Sequence, residues 1–324
     1  MGPQKSVGVY MVEVWTERYR PDTLEDIVNH EHVVQRLKAF VEDESLPHLL
    51  FTGPAGTGKS ASALAITKDL FGDSWKSNVL ELNASDTRGI DVIRNQVKSF
   101  ARSKAVDDVP FKIIILDEAD ALTSEAQHAL RRTMENYTET ARFILICNYS
   151  SKIIDPIRSR CSIFRFPRLD KEDASGLLEK ICEKEDVEYD DSGLDAVYSV
   201  TRGDLRKSIN LLQSVSATGK EVTGDVVYEV SSQAKPQVIE SILSKALDGK
   251  FTDARDELQG LLLEKGISGM DIIKEMHRQL YDLDIDEKRK VRLIESMGEY
   301  EFRLDEGADE QIQLEALLAK FASS

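Results

Sequence analysis

The stretch Gly53-Pro54-Ala55-Gly56-Thr57-Gly58-Lys59-Ser60 decides the fold of this 324-residue chain. It follows an apolar run, Leu49 to Phe51, and precedes a helix-forming run over residues 61–70. Glycines between a strand and a helix let successive backbone N–H groups converge on an anion, and lysine and serine suit phosphate oxygens and Mg²⁺. The stretch therefore predicts a phosphate-binding loop for a nucleoside triphosphate. Because every fixed position of the motif is filled, we disfavour a chance glycine-rich turn.

Strand and helix patterns alternate through the first half of the chain. Such alternation predicts a parallel sheet with helices on both faces and a ligand at the carboxyl ends of the strands. The predicted strands are 49–51, 79–82, 112–116 and 142–147, and the helices between them are 59–71, 89–102 and 124–136.

After Pro167 the pattern predicts helices alone. Turn-forming residues between 218 and 236 suggest a boundary between two helical modules. We therefore predict three domains: an α/β nucleotide-binding domain over 1–167, a helical lid over 168–231 and an all-α domain over 232–324. The predicted helices are 170–185, 190–200, 203–215, 235–247, 251–265, 268–282, 286–302 and 307–321.

The net charge of −16 argues against affinity for nucleic acid over the whole surface. The charge is uneven, however. Residues 1–167 hold 21 Lys and Arg against 23 Asp and Glu, whereas residues 168–231 hold 8 against 15 and residues 232–324 hold 13 against 20. The first domain can therefore present a local basic face.

The composition also limits the cellular compartment in which the protein is expected. No apolar run has the roughly 18 residues of a membrane span, and the N-terminus lacks the apolar stretch of a signal peptide, so we expect a soluble intracellular protein. The three cysteines form no Cys-x-x-Cys pair, which disfavours a disulfide framework or a zinc ribbon. They are interpreted as buried small apolar residues.

Acidic and amide side chains follow two of the predicted strands. Asp117 and Glu118 end the strand over 112–116, where Asp117 is expected to join Ser60 in holding Mg²⁺ and Glu118 to polarise the attacking water. Asn148 ends the next strand, placed to sense the γ-phosphate or to orient water. An ordinary turn former remains the alternative for Asn148.

The tetrapeptide Asp117-Glu118-Ala119-Asp120 also spells the motif of a large helicase family. Helicases of that family carry two consecutive α/β modules and a Ser-Ala-Thr motif after this strand. Here the next strand ends in Ile146-Cys147-Asn148-Tyr149, and the chain turns helical without a second sheet pattern. The helicase interpretation is therefore disfavoured.

Taken together, these motifs resemble the small subunits of replication factor C, the sliding-clamp loader of the AAA+ superfamily, in its archaeal type. The resemblance runs from Trp15 to the C-terminus and is strongest through Arg206. Its carriers are Trp15 to Pro21, Gly53 to Ser60, Leu82 to Asp86, Asp117 to Asp120, Ala129 to Glu135, Asn148, Ser159-Arg160-Cys161 and Gly203 to Arg206. The implied fold is an α/β AAA+ phosphate-loop ATPase module, a small helical lid and an all-α C-terminal collar.

The resemblance assigns roles around the nucleotide. Asn148 would be the first sensor and Arg206 the second, while Arg160 would be an arginine finger acting on ATP bound to a neighbouring subunit. Without the family, Arg160 is interpreted as a surface arginine after a proline turn. The stretch Tyr19-Arg20-Pro21 would cover the adenine, with Val12 as a weaker candidate for the same pocket. The implied ligands are ATP and Mg²⁺.

Candidate DNA contacts lie on the predicted helix 89–102. Arg94, Lys98 and Arg102 follow one another at four-residue spacing, and Arg88 and Lys152 start neighbouring helices. In the family such a stripe would track phosphates of primer-template DNA without sequence preference. A solvated charged face is the alternative.

The resemblance implies an ATPase subunit that, within a heteropentamer of a large subunit and further small subunits, opens a PCNA-type sliding clamp and loads it onto primer-template DNA. The expected location is the cytoplasm near the nucleoid in an archaeon, or the nucleus in a eukaryote. Two alternatives stay open: another AAA+ DNA-remodelling ATPase, such as a Holliday-junction motor or a helicase loader, and a structural subunit that binds ATP without hydrolysing it.

Overall fold

This computed structural model describes residues 13–86, 91, 93–107 and 109–323, without the side chain of Arg94. A parallel five-stranded sheet forms the centre of the first of two compact units. The strand order is β2-β3-β4-β1-β5. All pairs are parallel, with Leu50 opposite Leu145 and Ile163, so the carboxyl ends of all strands meet at one edge. The strands are β1 His48–Thr52, β2 Val79–Asn83, β3 Lys112–Asp117, β4 Ala141–Cys147 and β5 Cys161–Arg165.

Side chains of the central strands are buried on both faces of the sheet. Leu49 and Phe51 join one core cluster, and Leu50 between them joins the other. Period-two alternation sends neighbours to opposite faces, and when both faces are covered the strand becomes apolar throughout. This is why the strands appeared in the sequence as continuous apolar runs.

The helices of the first compact unit cover these two faces. Val33, Leu37 and Ile66 belong to the cluster on one face, whereas Ile93, Leu130 and Met134 belong to the other. The unit comprises the residues up to Glu188 together with Val197–Ser216. Its helices are α1 Trp15–Arg18, α2 Glu31–Glu42, α3 Lys59–Phe71, α4 Trp75–Asn78, α5 Lys98–Arg102, α6 Ser124–Asn136, α7 Asp155–Arg158, α8 Lys171–Glu185, the C-terminal part of α9 Asp191–Thr201, and α10 Leu205–Ser216.

The second compact unit comprises Tyr189–Ala196, which includes the start of α9, and Ala217–Ser324. It is helical and has its own core, in which Ile242, Leu258, Met276 and Leu317 are buried. Its further helices are α11 Gly224–Ser231, α12 Pro236–Leu247, α13 Phe251–Gln259, α14 Gly269–Gln279, α15 Glu287–Asp305 and α16 Glu310–Ser323. The three-domain division at 167 and 231 stays a prediction.

The structure corrects several predicted elements. Strand β5 and the helices α2 and α11 were not predicted. The segment over 218–236, taken as a boundary, contains α11 between its turns. The fifth strand escaped prediction because Ser162, Ile163 and Arg165 are partly or fully exposed, which interrupts the apolar run.

Two predicted helices contain a wider turn. Within the helix expected over 89–102, Ile93–Val97 is π-helical before α5 begins at Lys98, and Gly260–Glu264 likewise continues α13 as a π turn. A π turn inserts one residue per turn, so a stripe computed for a continuous α-helix shifts around the axis. Lys98 and Arg102 of the predicted basic stripe lie in α5, whereas position 94 lies in the π-helical segment before it, so the stripe stays a prediction.

Within the described part of the chain, no helix has the length and apolar character needed to cross a membrane. The cysteine interpretation matches the structure for Cys147 and Cys182, which are buried, whereas Cys161 is half-buried. Burial raises the pKa of the Cys147 and Cys182 thiols to about 11. These thiols therefore stay protonated and behave as small apolar groups.

Candidate nucleotide-binding site

The loop after β1 is packed too closely for side chains at two of its glycines. A Cβ on Gly53 would lie 2.1 Å from the Phe166 carbonyl oxygen, and one on Gly56 would lie 1.8 Å from Asp204 Oδ1. Gly56 also has φ 72°, a left-handed conformation that side chains disfavour. The loop is thus held against Phe166, which follows β5, and Asp204, which precedes α10. Helix α3 begins directly after the loop, with its N-terminus at the carboxyl edge of the sheet.

Lys59 is buried at the start of α3 and connects the loop to the end of β4. Its Nζ donates to the carbonyl oxygens of Gly53 at 2.7 Å and Pro54 at 2.6 Å, and to Asn148 Oδ1 at 3.2 Å. Burial lowers the pKa of Lys59, and the Asp117 carboxylate partly opposes that shift. The predicted lysine and the predicted first sensor are therefore in contact.

Ser60 and Asp117 also meet. Ser60 Oγ donates to Asp117 Oδ2 at 2.6 Å, and Asp117 Oδ1 accepts the Glu118 backbone N–H at 2.8 Å. Glu118 has φ 53° and an exposed side chain, because the chain turns sharply where β3 ends. Its side chain is therefore accessible to solvent at the end of β3.

A hydroxyl and a carboxylate oxygen this close fit a Mg²⁺ ion, which takes oxygen ligands and keeps several waters. Among the described residues, no group of three or more His, Cys, Asp or Glu is placed to hold a metal. Ser60 and Asp117 alone would supply two oxygen ligands to such an ion.

A cleft beside the loop brings together the other predicted nucleotide ligands. Tyr19 is anchored there, because its hydroxyl donates to Glu185 Oε1 at 2.6 Å. Burial, followed by that hydrogen bond, raises the pKa of Tyr19 to about 12, so the phenol stays neutral. Val12 lies outside the described residues. The cleft is lined by Thr16, Glu17, Tyr19, Arg20, Pro21, Ile27, Val28, Gly56, Thr57, Gly58, Lys59, Ser60, Leu177, Leu205, Arg206 and Ile209, among others.

Arg160 is not among the residues that line this cleft. It follows α7 and is exposed, with Nη1 donating to the Pro156 carbonyl at 2.7 Å and Nη2 paired with Glu135 Oε1 on α6. The structure therefore leaves Arg160 outside the nucleotide cleft of its own chain, and its role as a finger acting in trans stays a prediction.

The DNA candidates are only partly described. Lys98 and Lys152 are exposed, and Lys152 Nζ lies 5.1 Å from the centre of the Tyr149 ring. Arg88 lies outside the described residues, and the side chain of Arg94 is also outside them. The described lysines are accessible, and their role stays a prediction.

Three residues support the site although no sequence motif assigned them a role. Asp120 Oδ2 accepts the backbone N–H groups of Asn148 at 3.3 Å and Tyr149 at 3.1 Å. Asp204 Oδ1 accepts the Lys207 backbone N–H at 3.1 Å. An aspartate directly before a helix is a common N-cap residue, so the sequence could have indicated this role for Asp204. His30 is buried, with Nε2 3.2 Å from the Thr57 carbonyl oxygen, and no sequence pattern pointed to it.

The fold and the site define a phosphate-loop ATPase. A family model described as the ATPase family associated with various cellular activities matches residues 49–169, and the model of the replication factor C C-terminal domain matches residues 234–320.

Relatives extend these matches over almost the whole chain. Replication factor C small subunit of Methanococcus maripaludis is 53% identical over 310 residues, covering 96% of this chain and 98% of its own. The protein of the same name from Sulfolobus acidocaldarius is 54% identical over 311 residues, covering 95% of each. The chain belongs to the replication factor C small-subunit family of AAA+ ATPases.

Solved structures show the same fold at lower identity. The RuvB Holliday-junction branch-migration motor of Thermotoga maritima superposes with a TM-score of 0.56 at 18% identity, covering 76% of this chain and 88% of that one. A point mutant of the same motor gives a TM-score of 0.57 at 17% identity, covering 77% of this chain and 92% of the mutant. At this identity the likeness extends to the AAA+ fold alone.

Proposed function

We propose that this chain is an ATP-hydrolysing subunit of a heteropentameric clamp loader that opens a PCNA-type sliding clamp and closes it on primer-template DNA. The observation that carries the proposal is the linked set Lys59–Asn148 and Ser60–Asp117 at one sheet edge, in a chain of the replication factor C family. The large subunit, the other small subunits, the clamp and DNA are its proposed partners.

Within the site, each side chain has a task that its position supports. Lys59 exchanges its loop carbonyls for the β and γ oxygens of ATP, and Arg206 reaches phosphate from α10. Glu118 orients and polarises the attacking water, while Asn148 fixes the geometry of Lys59 and the γ-phosphate. Tyr19, Arg20 and Pro21 cover the base, with Val12 proposed beside them.

Bound Mg²⁺ would supply neutralisation of phosphate charge. Ser60 and Asp117 would hold it, and the 2.6 Å hydrogen bond between them shows that their oxygens lie side by side. Ala55, Thr57 and the loop glycines contribute backbone N–H donors rather than side chains, whereas Pro54, which has no N–H, restricts the backbone of the loop.

Arg160 completes the site of a neighbouring subunit. A guanidinium placed against the transferred phosphoryl group stabilises its developing charge and is worth about 10³ to 10⁵ in rate. Because the finger comes from another chain, hydrolysis depends on assembly. Binding of clamp and DNA then controls hydrolysis by aligning fingers and sites, and hydrolysis releases the closed clamp.

The Holliday-junction motor is a rival in fold. It is disfavoured because the 18% identity to that motor carries fold only, whereas about half of the residues match replication factor C small subunits. A non-hydrolysing subunit is disfavoured by the simultaneous presence of Lys59, Glu118 and Asn148 in mutually consistent positions.

The test is an ATPase assay on the chain alone and on the chain assembled with its large subunit, with and without clamp and primed DNA. We expect slow hydrolysis by the chain alone and stimulation by DNA and clamp together. Absence of that stimulation in an intact assembly would contradict clamp loading.

A second arm separates turnover from binding. Glu118→Gln should lower the rate of the assembly by at least about 100-fold while ATP affinity is kept, because the amide cannot act as a base. Glu125→Gln, an exposed position on α6, is the matched control. If turnover survives Glu118→Gln, the nucleotide site of this subunit is not the site that hydrolyses ATP.

A further inference from the structure

A single carboxylate lies between two arginines at the edge of the first unit. Glu135 Oε1, near the end of α6, accepts a hydrogen bond from Arg131 Nε at 3.0 Å and forms an ion pair with Arg160 Nη2. Arg160 is held at a second point, since its Nη1 donates to the Pro156 carbonyl at 2.7 Å. Two fixed acceptors therefore define the plane of the Arg160 guanidinium.

The charges in this cluster favour that arrangement. Two guanidinium groups approach one carboxylate, and the hydrogen bond from Arg131 is the main reason that the pKa of Glu135 is held below its usual range. Glu135 therefore stays ionised. Without its charge, the repulsion between Arg131 and Arg160 would be uncompensated, and Arg160, which follows the short helix α7, would move away from α6.

We propose that Glu135 is a positioning residue that holds Arg160 in the orientation from which it reaches ATP on a neighbouring subunit. This inference rests on the proposed function, in which Arg160 acts in trans. Glu135 is not among the residues that line the nucleotide cleft of its own chain, so its proposed effect passes through Arg160.

The surroundings of Glu135 distinguish this role from ordinary surface stabilisation. Exposed ion pairs contribute little to folding, and the side chains of Glu135 and Arg160 are 32% and 37% exposed. The orientation of the guanidinium plane, in contrast, decides whether Arg160 can contact two phosphate oxygens at once. A small displacement of a catalytic group lowers the reaction rate by a large factor. The cost of losing Glu135 should therefore appear in hydrolysis rather than in stability.

The experiment measures ATP hydrolysis by the assembly with clamp and primed DNA for Glu135→Ala, Glu135→Gln and Arg160→Ala. We expect Glu135→Ala to lower kcat about tenfold with KM for ATP unchanged, and Glu135→Gln to lose less because it keeps an acceptor. Glu139→Ala, an exposed carboxylate three residues after α6, should keep the wild-type rate. Thermal denaturation of the isolated chains should show similar midpoints for all of them.

Two further measurements separate positioning from a structural effect. In the Arg160→Ala background, Glu135→Ala should cause no additional loss. In mixed assemblies, Glu118→Gln chains, which supply an intact Arg160, should restore hydrolysis by Glu135→Ala chains, whose own sites are intact. A defect inside the Glu135→Ala chain's own site would not be restored.

The outcomes are distinguishable. If Arg160→Ala leaves the rate unchanged, the trans finger itself is wrong, and the proposed function loses that step. If Arg160→Ala lowers the rate but Glu135→Ala does not, or raises it, the positioning role alone is overturned. An additional loss in the double variant overturns it as well.

Discussion

At the scale of single residues, Asp120 connects the acidic end of β3 to Asn148, the predicted first sensor. Its Oδ2 accepts the backbone N–H groups of Asn148 and Tyr149, and Asn148 Oδ1 in turn accepts from Lys59 Nζ. Hydrogen bonds to an ionised acceptor are stronger than neutral ones, so this carboxylate fixes the backbone from which Asn148 projects. Asp120 therefore contributes to the site by holding the backbone of Asn148 and Tyr149 in place.

Substitution Asp120→Ala should lower kcat of the assembly by about tenfold with little change in ATP affinity, because Asn148 loses its anchor while Ser60 and Asp117 are untouched. Asp120→Asn should be milder, since one acceptor remains. Steady-state ATPase assays and nucleotide titration of the same samples measure both quantities.

The exposed Asp43, at the end of α2, offers a matched control when changed to Ala. A wild-type kcat for Asp120→Ala would show that the position of Asn148 does not depend on this carboxylate.

At the scale of elements, β1 carries a buried histidine whose charge state is tied to the sheet. His48 Nδ1 accepts the Phe143 backbone N–H of β4 at 3.2 Å, which requires an unprotonated Nδ1. Burial, together with the nearby Arg142 guanidinium, lowers the pKa of His48 from 6.5 to about 4. Burial also lowers the pKa of His30.

These shifts predict loss of stability in mild acid. The folded pKa of His48 lies below its unfolded value, so the unfolded chain binds more protons as the pH falls from 6.5 towards 4, and stability decreases in that window. The share of His48 amounts to up to about 3 kcal/mol. Urea denaturation at pH 7 and pH 4.5 measures it.

Substitution His48→Gln keeps an acceptor for Phe143 but cannot be protonated, so it should reduce the difference between the two pH values. The exposed His128 serves as control, and His128→Gln should retain the wild-type difference. An unchanged pH dependence in His48→Gln would mean that other groups cause the loss of stability at low pH.

At the scale of the whole molecule, charge is segregated along the chain. The net charge is −16, yet residues 1–167 are close to neutral while the remaining residues carry most of the acid. Proposed DNA contacts must therefore be local, since the long-range field of the chain repels phosphate. Lys98, Arg102 and Lys152 are the described members of that proposed contact, and all three are exposed.

For the assembly bound to primed DNA, Lys152→Ala and Lys98→Ala should each weaken binding similarly on unrelated sequences. Each should also reduce the slope of log affinity against log salt by about one, because one phosphate contact and its released counterion are lost. Fluorescence anisotropy at several salt concentrations measures this. Lys76→Ala, an exposed lysine on α4, is the control, and a slope equal to wild type in both variants would remove them from the interface.

Local patterns explain what could be predicted. The phosphate loop, the strands β1, β3 and β4 and the amphipathic helices are each encoded within short windows, because turn chemistry and side-chain period act on neighbours in sequence. Strand β5 and the π turn at Ile93–Val97 were missed, since an exposed strand lacks an apolar run and a π turn depends on packing.

By itself, the sequence determined two things. The stretch Gly53 to Ser60 indicated a phosphate-containing ligand, and the apolar runs before Gly53 and Asp117 indicated the strands that carry the candidate groups. Tertiary structure alone decided which groups meet: Asp120 with Asn148, Asp204 with Gly56, and Glu135 with Arg160. These partners are 25 to 148 residues apart in the chain. Their contacts arise from packing around the sheet, whose long-range geometry no local pattern records.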